Sequence, residues 1–154
     1  MLHVVLVQPE IPPNTGSIAR LCAATNLRLH LVGPLGFSLE DRYLKRAGLD
    51  YWPFVDLRTY PDVDAFHAEH GSGRFVLFSA RAAHSYLAAR HTPGSYLLFG
   101  SETRGLPAPL LAAHRDATFT IPIFNPNVRS LNLSNAVSIV VYDALRQLGR
   151  LPIE

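Results

Sequence analysis

Three short stretches of this chain combine side chains that ordinary surfaces and ordinary cores keep apart. Near the C-terminus, Arg129-Ser130-Leu131-Asn132-Leu133-Ser134-Asn135 alternates hydroxyl and amide groups with leucines at the mouth of an apolar run. That mixture reads as a pocket wall, because a small-molecule site needs an apolar slot with a few fixed polar groups. A capped core helix accounts for the leucines and valines, but it leaves Ser130, Asn132, Ser134 and Asn135 crowded at one entrance. The second stretch, Gly100-Ser101-Glu102-Thr103-Arg104-Gly105-Leu106-Pro107, follows the apolar run Ser95 to Phe99. Two glycines there let backbone approach a ligand closely and leave a carboxylate and a guanidinium beside it. A tight turn with an internal Glu102–Arg104 interaction has the same composition. The third, Asn14 to Arg20, follows a proline-rich loop and sets Arg20 away from the apolar side of a helix.

Other chemistries lack their residues. No G-x-G-x-x-G follows the first strand, and the single lysine, Lys45, is in no phosphate-binding loop. A G-x-S-x-G nucleophile elbow is missing as well. Cys22 and Arg28 have the C-x5-R spacing of cysteine phosphatases, yet Cys22 falls on the apolar side of a helix, where a thiol is inert. His67 and His70 share a helix face with no second cluster to complete a metal site, so they read as a solvated face and no metal is expected.

The elements that must position these stretches follow from composition and period. At 154 residues, 48% hydrophobic and 17% charged, the chain is expected to form a single domain over 1–154 with a substantial core. One cysteine excludes an internal disulfide and fits a reducing compartment. The run Leu2 to Val7 is too short to span a bilayer and no cationic segment precedes it, so a cytoplasmic location with no membrane partner is expected. Thirteen of the fourteen basic residues are arginines, which grip phosphate bidentately, although a GC-rich genome would give the same bias.

Leu2 to Val7 predicts a strand, and Gln8 to Pro13 a rigid loop. Asn14 or Thr15 would cap a helix with Ile18, Leu21, Cys22 and Thr25 inward. Arg28 to Val32 predicts a second strand. A helix starting at Ser38, with Asp41 in its capping pattern, would run to Ala47 with Arg42, Lys45 and Arg46 on one side, either a phosphate-binding or a solvated face. Val55 to Leu57 predicts a short strand, and Asp62 to His70 a helix with Pro61 in its first position. Arg74 to Phe78, Ser95 to Phe99 and Thr118 to Ile121 read as further strands. The last helix would be capped by Asn132 or Ser134, with Leu133, Val137, Val140, Val141, Ala144, Leu145 and Leu148 inward and Gly149 at its end. Strands alternating with helices require an α/β fold with a parallel sheet covered by helices on both faces. Ligands in such sheets bind beyond the carboxyl ends of strands, here after Val7, Phe78, Phe99 and Ile121.

Taken in order, Asn14-Thr15-Gly16-Ser17-Ile18-Ala19-Arg20, Leu98-Phe99-Gly100-Ser101-Glu102-Thr103-Arg104-Gly105-Leu106, and Ile121-Pro122 with Ser130-Leu131-Asn132-Leu133-Ser134-Asn135-Ala136 resemble the three motifs of the SPOUT RNA methyltransferases. Pro9-Glu10-Ile11-Pro12-Pro13-Asn14-Thr15-Gly16 and Arg46-Ala47-Gly48-Leu49-Asp50-Tyr51 are similar to the TrmL-type members of that superfamily. The resemblance implies methyl transfer from S-adenosylmethionine, leaving S-adenosylhomocysteine, to the ribose 2′-oxygen of the wobble nucleotide, a cytidine or carboxymethylaminomethyl-type uridine, in a tRNA anticodon stem-loop. It also implies a deep C-terminal trefoil knot and a homodimer.

By position, the resemblance assigns the cofactor to Phe78, Gly100, Ile121 and Ser130, with Leu98, Ile123, Leu131 and Leu133 lining the slot. Arg20 takes the catalytic position, with Asn14, Glu102, Ser130 and Asn135 positioning substrate or bracing loops. The family picture has the arginine help deprotonate the hydroxyl, but guanidinium groups stay protonated. An electrostatic role toward the phosphate and developing alkoxide is the better reading. The link Ile123 to Val128 is longer than the family pattern, and five residues follow Gly149. RNA recognition would then fall to this domain and its dimer partner. A SPOUT enzyme acting on another tRNA or rRNA site, and a non-catalytic RNA-binding module, stay open at this point.

Overall fold

The computed structural model describes every residue except Leu49 and Asp50, and every side chain except those of Lys45, Ala47, Gly48 and that pair. Part of the Arg46–Tyr51 stretch and the Lys45 member of the basic stripe therefore lie outside the described residues. Seven strands are described: β1 His3–Val7, β2 Arg28–Val32, β3 Asp56–Tyr60, β4 Phe75–Phe78, β5 His84–Ser85, β6 Tyr96–Phe99 and β7 Thr118–Thr120. They form one sheet in the order β3-β2-β1-β6-β4-β7-β5, and every pairing is parallel.

Residue alternation along each strand divides the core in two. Val4, Leu6, Leu29, Leu31, Val76, Phe78, Leu97 and Phe99 pack with Ile18, Ala19 and Cys22 of α1 (Pro12–Thr25) and with Val137, Val140, Val141 and Ala144 of α5 (Leu133–Gln147). On the other face Val5, Val7, Val32, Leu77 and Leu98 pack with Phe66 of α3 (Val63–His70) and Leu110 of α4 (Ala108–Ala113). The predicted parallel sheet with helices on both faces is thus what forms. Strands β1, β6, β4 and β7 stand side by side, which brings the ends after Val7, Phe99, Phe78 and Thr120 to one edge.

The helix starts depart from the sequence reading. Helix α1 begins at Pro12 with prolines in its first turn, where their missing N–H groups cost nothing, and its N-cap, Ile11, makes no side-chain cap hydrogen bond. Asn14 and Thr15 lie inside it. Helix α2 (Arg42–Gly48) begins after Asp41, whose carboxylate accepts from the amides of Tyr43 and Leu44, while Ser38 makes only the preceding turn. Asp62 caps α3 by accepting from the amide of Ala65, so Pro61 precedes the helix and does not occupy its first position. Helix α4 and the two-residue β5 gave no periodic signal, being too short to show one.

His70 is not solvated as its helix pattern predicted. Its Nε2 lies 2.8 Å from the Tyr60 hydroxyl and its Nδ1 2.9 Å from the Tyr96 hydroxyl. The Tyr60 hydroxyl also meets His30 Nδ1 at 3.0 Å, and His30 Nε2 meets His3 Nδ1 at 2.9 Å. Strands β1, β2, β3 and β6 and the end of α3 converge there, a juxtaposition that no local pattern encodes. Cys22 is buried, and burial pushes its thiol up to about 12.

Candidate functional site

Where the sheet edge gathers the strand ends, a cleft of about 570 Å³ opens. Phe78, Gly100, Ile121, Ile123, Ser130, Leu131 and Leu133 all line it, with Glu102, Arg104, Arg81 and Arg129. Leu98 does not: it faces the opposite side of the sheet at 1% exposure. Alternation explains the difference, since its neighbours Leu97 and Phe99 point to the α1 and α5 side.

The loop after β6 is drawn tight. The Ser101 amide donates to the Gly105 carbonyl at 3.3 Å and the Gly105 amide to the Ser101 carbonyl at 3.0 Å. Gly105 takes φ +70°, and a Cβ on Gly100 would fall inside the backbone of Gly105 and Leu106. Both glycines are therefore required by the turn itself. This geometry aims Glu102 at the start of α1, not at Arg104.

Helix α1 carries no side-chain cap or first-turn acid of its own. Glu102, 92 residues further along the chain, holds the two amides that lead into it. Its Oε1 accepts from the Glu10 amide at 2.8 Å, and its Oε2 from the Ile11 amide at 2.8 Å and from Asn14 Nδ2 at 3.2 Å. A carboxylate beside a helix N-terminus is also favoured by the helix dipole. Glu10 makes the reciprocal contact, accepting from the Thr103 amide at 3.1 Å and hydroxyl at 2.6 Å, and these donors hold its carboxyl below the usual range.

Asn14 continues the chain of bonds. Its Oδ1 accepts from Asn132 Nδ2 at 3.1 Å, and Asn132 Oδ1 caps α5 by accepting from the amides of Ser134 and Asn135. Asn132 thus braces the two helices, while the exposed side chain of Asn135, given substrate positioning or bracing by the resemblance, has no hydrogen bond among the described residues. The N-cap position turns Asn132 back toward α1, and three residues of helix rotate Asn135 outward. The sequence signalled Asn132 only as a cap.

Arg20 is exposed on α1 and is not part of the cleft wall. Its guanidinium lies 4.5 Å from the centroid of the Tyr51 ring, an arrangement that restrains the side chain while leaving its N–H groups available. Among the described residues no group of His, Cys, Asp and Glu could hold a metal ion.

A parallel α/β sheet with a mixed polar and apolar cleft at its carboxyl edge defines a small-molecule-binding α/β protein, and comparison gives the class. The chain belongs to the SpoU rRNA Methylase family, whose profile matches residues 1–142. It is 48% identical over 150 residues to the Escherichia coli tRNA (cytidine(34)-2′-O)-methyltransferase, covering 97% of this chain and 95% of that protein. A solved structure concerned with 2′-OH methylation of C/U34 on tRNA superposes with a TM-score of 0.91 at 53% identity, covering 97% of each chain. The SpoU methyltransferase AviRb from Streptomyces viridochromogenes, in complex with AdoMet, superposes with a TM-score of 0.80 at 26% identity, covering 96% of this chain and 60% of that one.

Proposed function

We propose that this protein transfers the methyl group of S-adenosylmethionine to the ribose 2′-oxygen of the wobble nucleotide of tRNA. The observation that carries the reading is the joining of the three sequence motifs. Asn14, Glu102 and Asn132, one from each, form a single hydrogen-bonded chain beside one cleft. The full-length similarity to proteins named for cytidine 34 supports the wobble position.

The cleft fits the cofactor by its donor set. Phe78, Ile121, Ile123, Leu131 and Leu133 offer an apolar slot for an adenine ring, and the Ser130 hydroxyl with the backbone at Gly100 offers polar contacts. Once bound, the cofactor supplies an electrophilic methyl group on a sulfonium. Arg20 holds the phosphate beside the target ribose and stabilises the charge that develops on the 2′-oxygen as its proton leaves to solvent. Glu102, with three donors on its two oxygens, holds α1 and so holds Arg20. Asn135, exposed at the start of α5, positions substrate.

The same reading includes a trefoil knot in the C-terminal third, a single domain over 1–154 and a cytoplasmic homodimer. Ile139 and Tyr142, 37% and 46% exposed on α5, are an apolar surface suited to a second copy. Among the described residues no helix is long and apolar enough to cross a membrane.

Purified protein incubated with labelled S-adenosylmethionine and unmodified tRNA is expected to place the label on the ribose of the wobble nucleotide. Label on a base, or none, would overturn the reading.

A further inference from the structure

The segment between β7 and α5 holds a feature that methyl transfer alone leaves unused. Phe124 is 95% exposed, the most exposed aromatic side chain among the described residues. It is not on a slack loop. Pro122 and Pro126 restrict the backbone on either side, the Asn127 amide donates to Asn125 Oδ1 at 2.9 Å, and the Val128 amide donates to the Asn125 carbonyl at 3.1 Å. The chain holds a large apolar ring in water on a stiff knuckle.

The knuckle borders a second hollow of about 420 Å³, walled by Pro122, Ile123, Phe124, Pro126, Val128 and Arg129. Ile121, Ile123 and Arg129 also line the cofactor cleft, so the two spaces are adjacent. Arg81 and Arg104 stand on the cleft side of the boundary. Neither Arg81 nor Arg129 makes an ion pair among the described residues.

We propose that Phe124 is a stacking platform for an unpaired base of the RNA loop next to the methylated nucleotide, with Arg129 and Arg81 on the adjoining phosphates. The proposal rests on the RNA methyltransferase reading of the cleft. An aromatic face among cations matches single-stranded RNA, whose bases can splay out and stack while its phosphates need positive charge. A second copy of this chain is the poorer match, since it carries net charge +2 and would bring the same arginines to the contact. A nucleotide whose ribose enters the cleft leaves its neighbour within one backbone step of the mouth, where the hollow lies.

The test uses the full chain saturated with S-adenosylhomocysteine, which permits binding without turnover, and an anticodon stem-loop RNA with 2-aminopurine at one loop position at a time. Wild-type protein is expected to quench one position beside the target strongly. Phe124→Ala should abolish that quenching and raise the RNA Kd about tenfold, near the low end of base–aromatic stacking. Phe124→Trp should restore both, and cofactor affinity should not change. Phe124→Ala binding RNA like wild type, Phe124→Leu restoring full affinity, or Phe124→Ala splitting a dimer in sedimentation would each overturn the proposal. Methylation of tRNA by the wild type is measured alongside. If the wild type methylates but Phe124→Ala binds normally, the platform fails and the enzymatic reading stands; if it quenches but does not methylate, the reverse holds.

Discussion

Asn132 Nδ2 donates to Asn14 Oδ1 at 3.1 Å, joining residues 118 apart in the chain and tying the start of α5 to the helix that carries Arg20. The cap and the tie use opposite ends of one amide, so substitution can separate them. Asn132→Asp keeps an acceptor for the amides of Ser134 and Asn135 but sets a second oxygen against Asn14 Oδ1. The cap contribution is expected to be kept, since Asp and Asn cap about equally well, while kcat falls. Asn132→Ala should lose about 1 kcal/mol from the missing cap as well. Urea melts with single-turnover rates decide; equal rates for Asn132→Asp and wild type would show that the tie has no catalytic role.

Glu102→Gln examines the other half of the connection. The carboxylate accepts from two backbone amides and Asn14, and an amide NH2 cannot accept from the N–H it would face. About 0.5–1.5 kcal/mol of stability should be lost, the net worth of one hydrogen bond, because the amides concerned are part-buried and exposed and water can reach them. An unchanged urea midpoint would contradict the geometry.

Arg20→Ala should lower kcat by about 10²- to 10³-fold, the usual cost of removing a transition-state donor. Because Arg20 is outside the cleft wall, calorimetry should find S-adenosylmethionine binding unaltered. Tyr51→Leu, which removes only the ring beneath the guanidinium, should give a smaller loss in kcat. A large drop in cofactor affinity for Arg20→Ala would refute this division of roles.

Gly100→Ala should fail to fold or lose about 3 kcal/mol or more, because the added carbon meets backbone at Gly105 and Leu106 that has nowhere to move. Ser101→Ala, which deletes the hydroxyl that accepts from the Arg104 amide and supports the Glu10 carboxyl, is the milder control. Near-normal stability of Gly100→Ala in thermal melts would mean the loop is looser than described.

Stability should fall in mild acid. Burial, aided by the neighbouring charges of Arg28 and His70, lowers His3 to about 4; burial with His3, His70 and Arg28 lowers His30 to about 3. Unfolded, both take up protons near pH 6.5, so the unfolded state binds more protons and acid favours it. The loss runs from about pH 6.5, where the unfolded histidines begin to charge, down to about 4, where His3 begins to charge in the folded state as well. Burial lowers His91 too and adds to the same trend. Urea midpoints measured from pH 7.5 down to 4.5 give the profile, and a flat one would exclude the effect.

How much of this was legible beforehand can be judged residue by residue. Apolar runs placed β1, β2, β4, β6, β7 and α5 to within a residue or two, because hydrophobic period reports directly which side of an element is buried. The glycine-bounded Gly100–Gly105 loop and the Ser130–Leu133 wall were visible as mixtures that local structure did not explain. What the sequence alone determined was therefore most of the elements, their order and most of the cleft's lining, but not α4, β5, Arg81 or the absence of Leu98.

The tertiary structure decided the partnerships. That Glu102 holds the amides leading into α1, that Asn132 rather than Asn135 meets Asn14, that Leu98 turns from the cleft and that His70 joins His30 through Tyr60 all depend on strand order and register. Those bonds join residues far apart in the chain, and no local period encodes them. Only the placing of β6 between β1 and β4 puts the Glu102 loop against the first turn of α1.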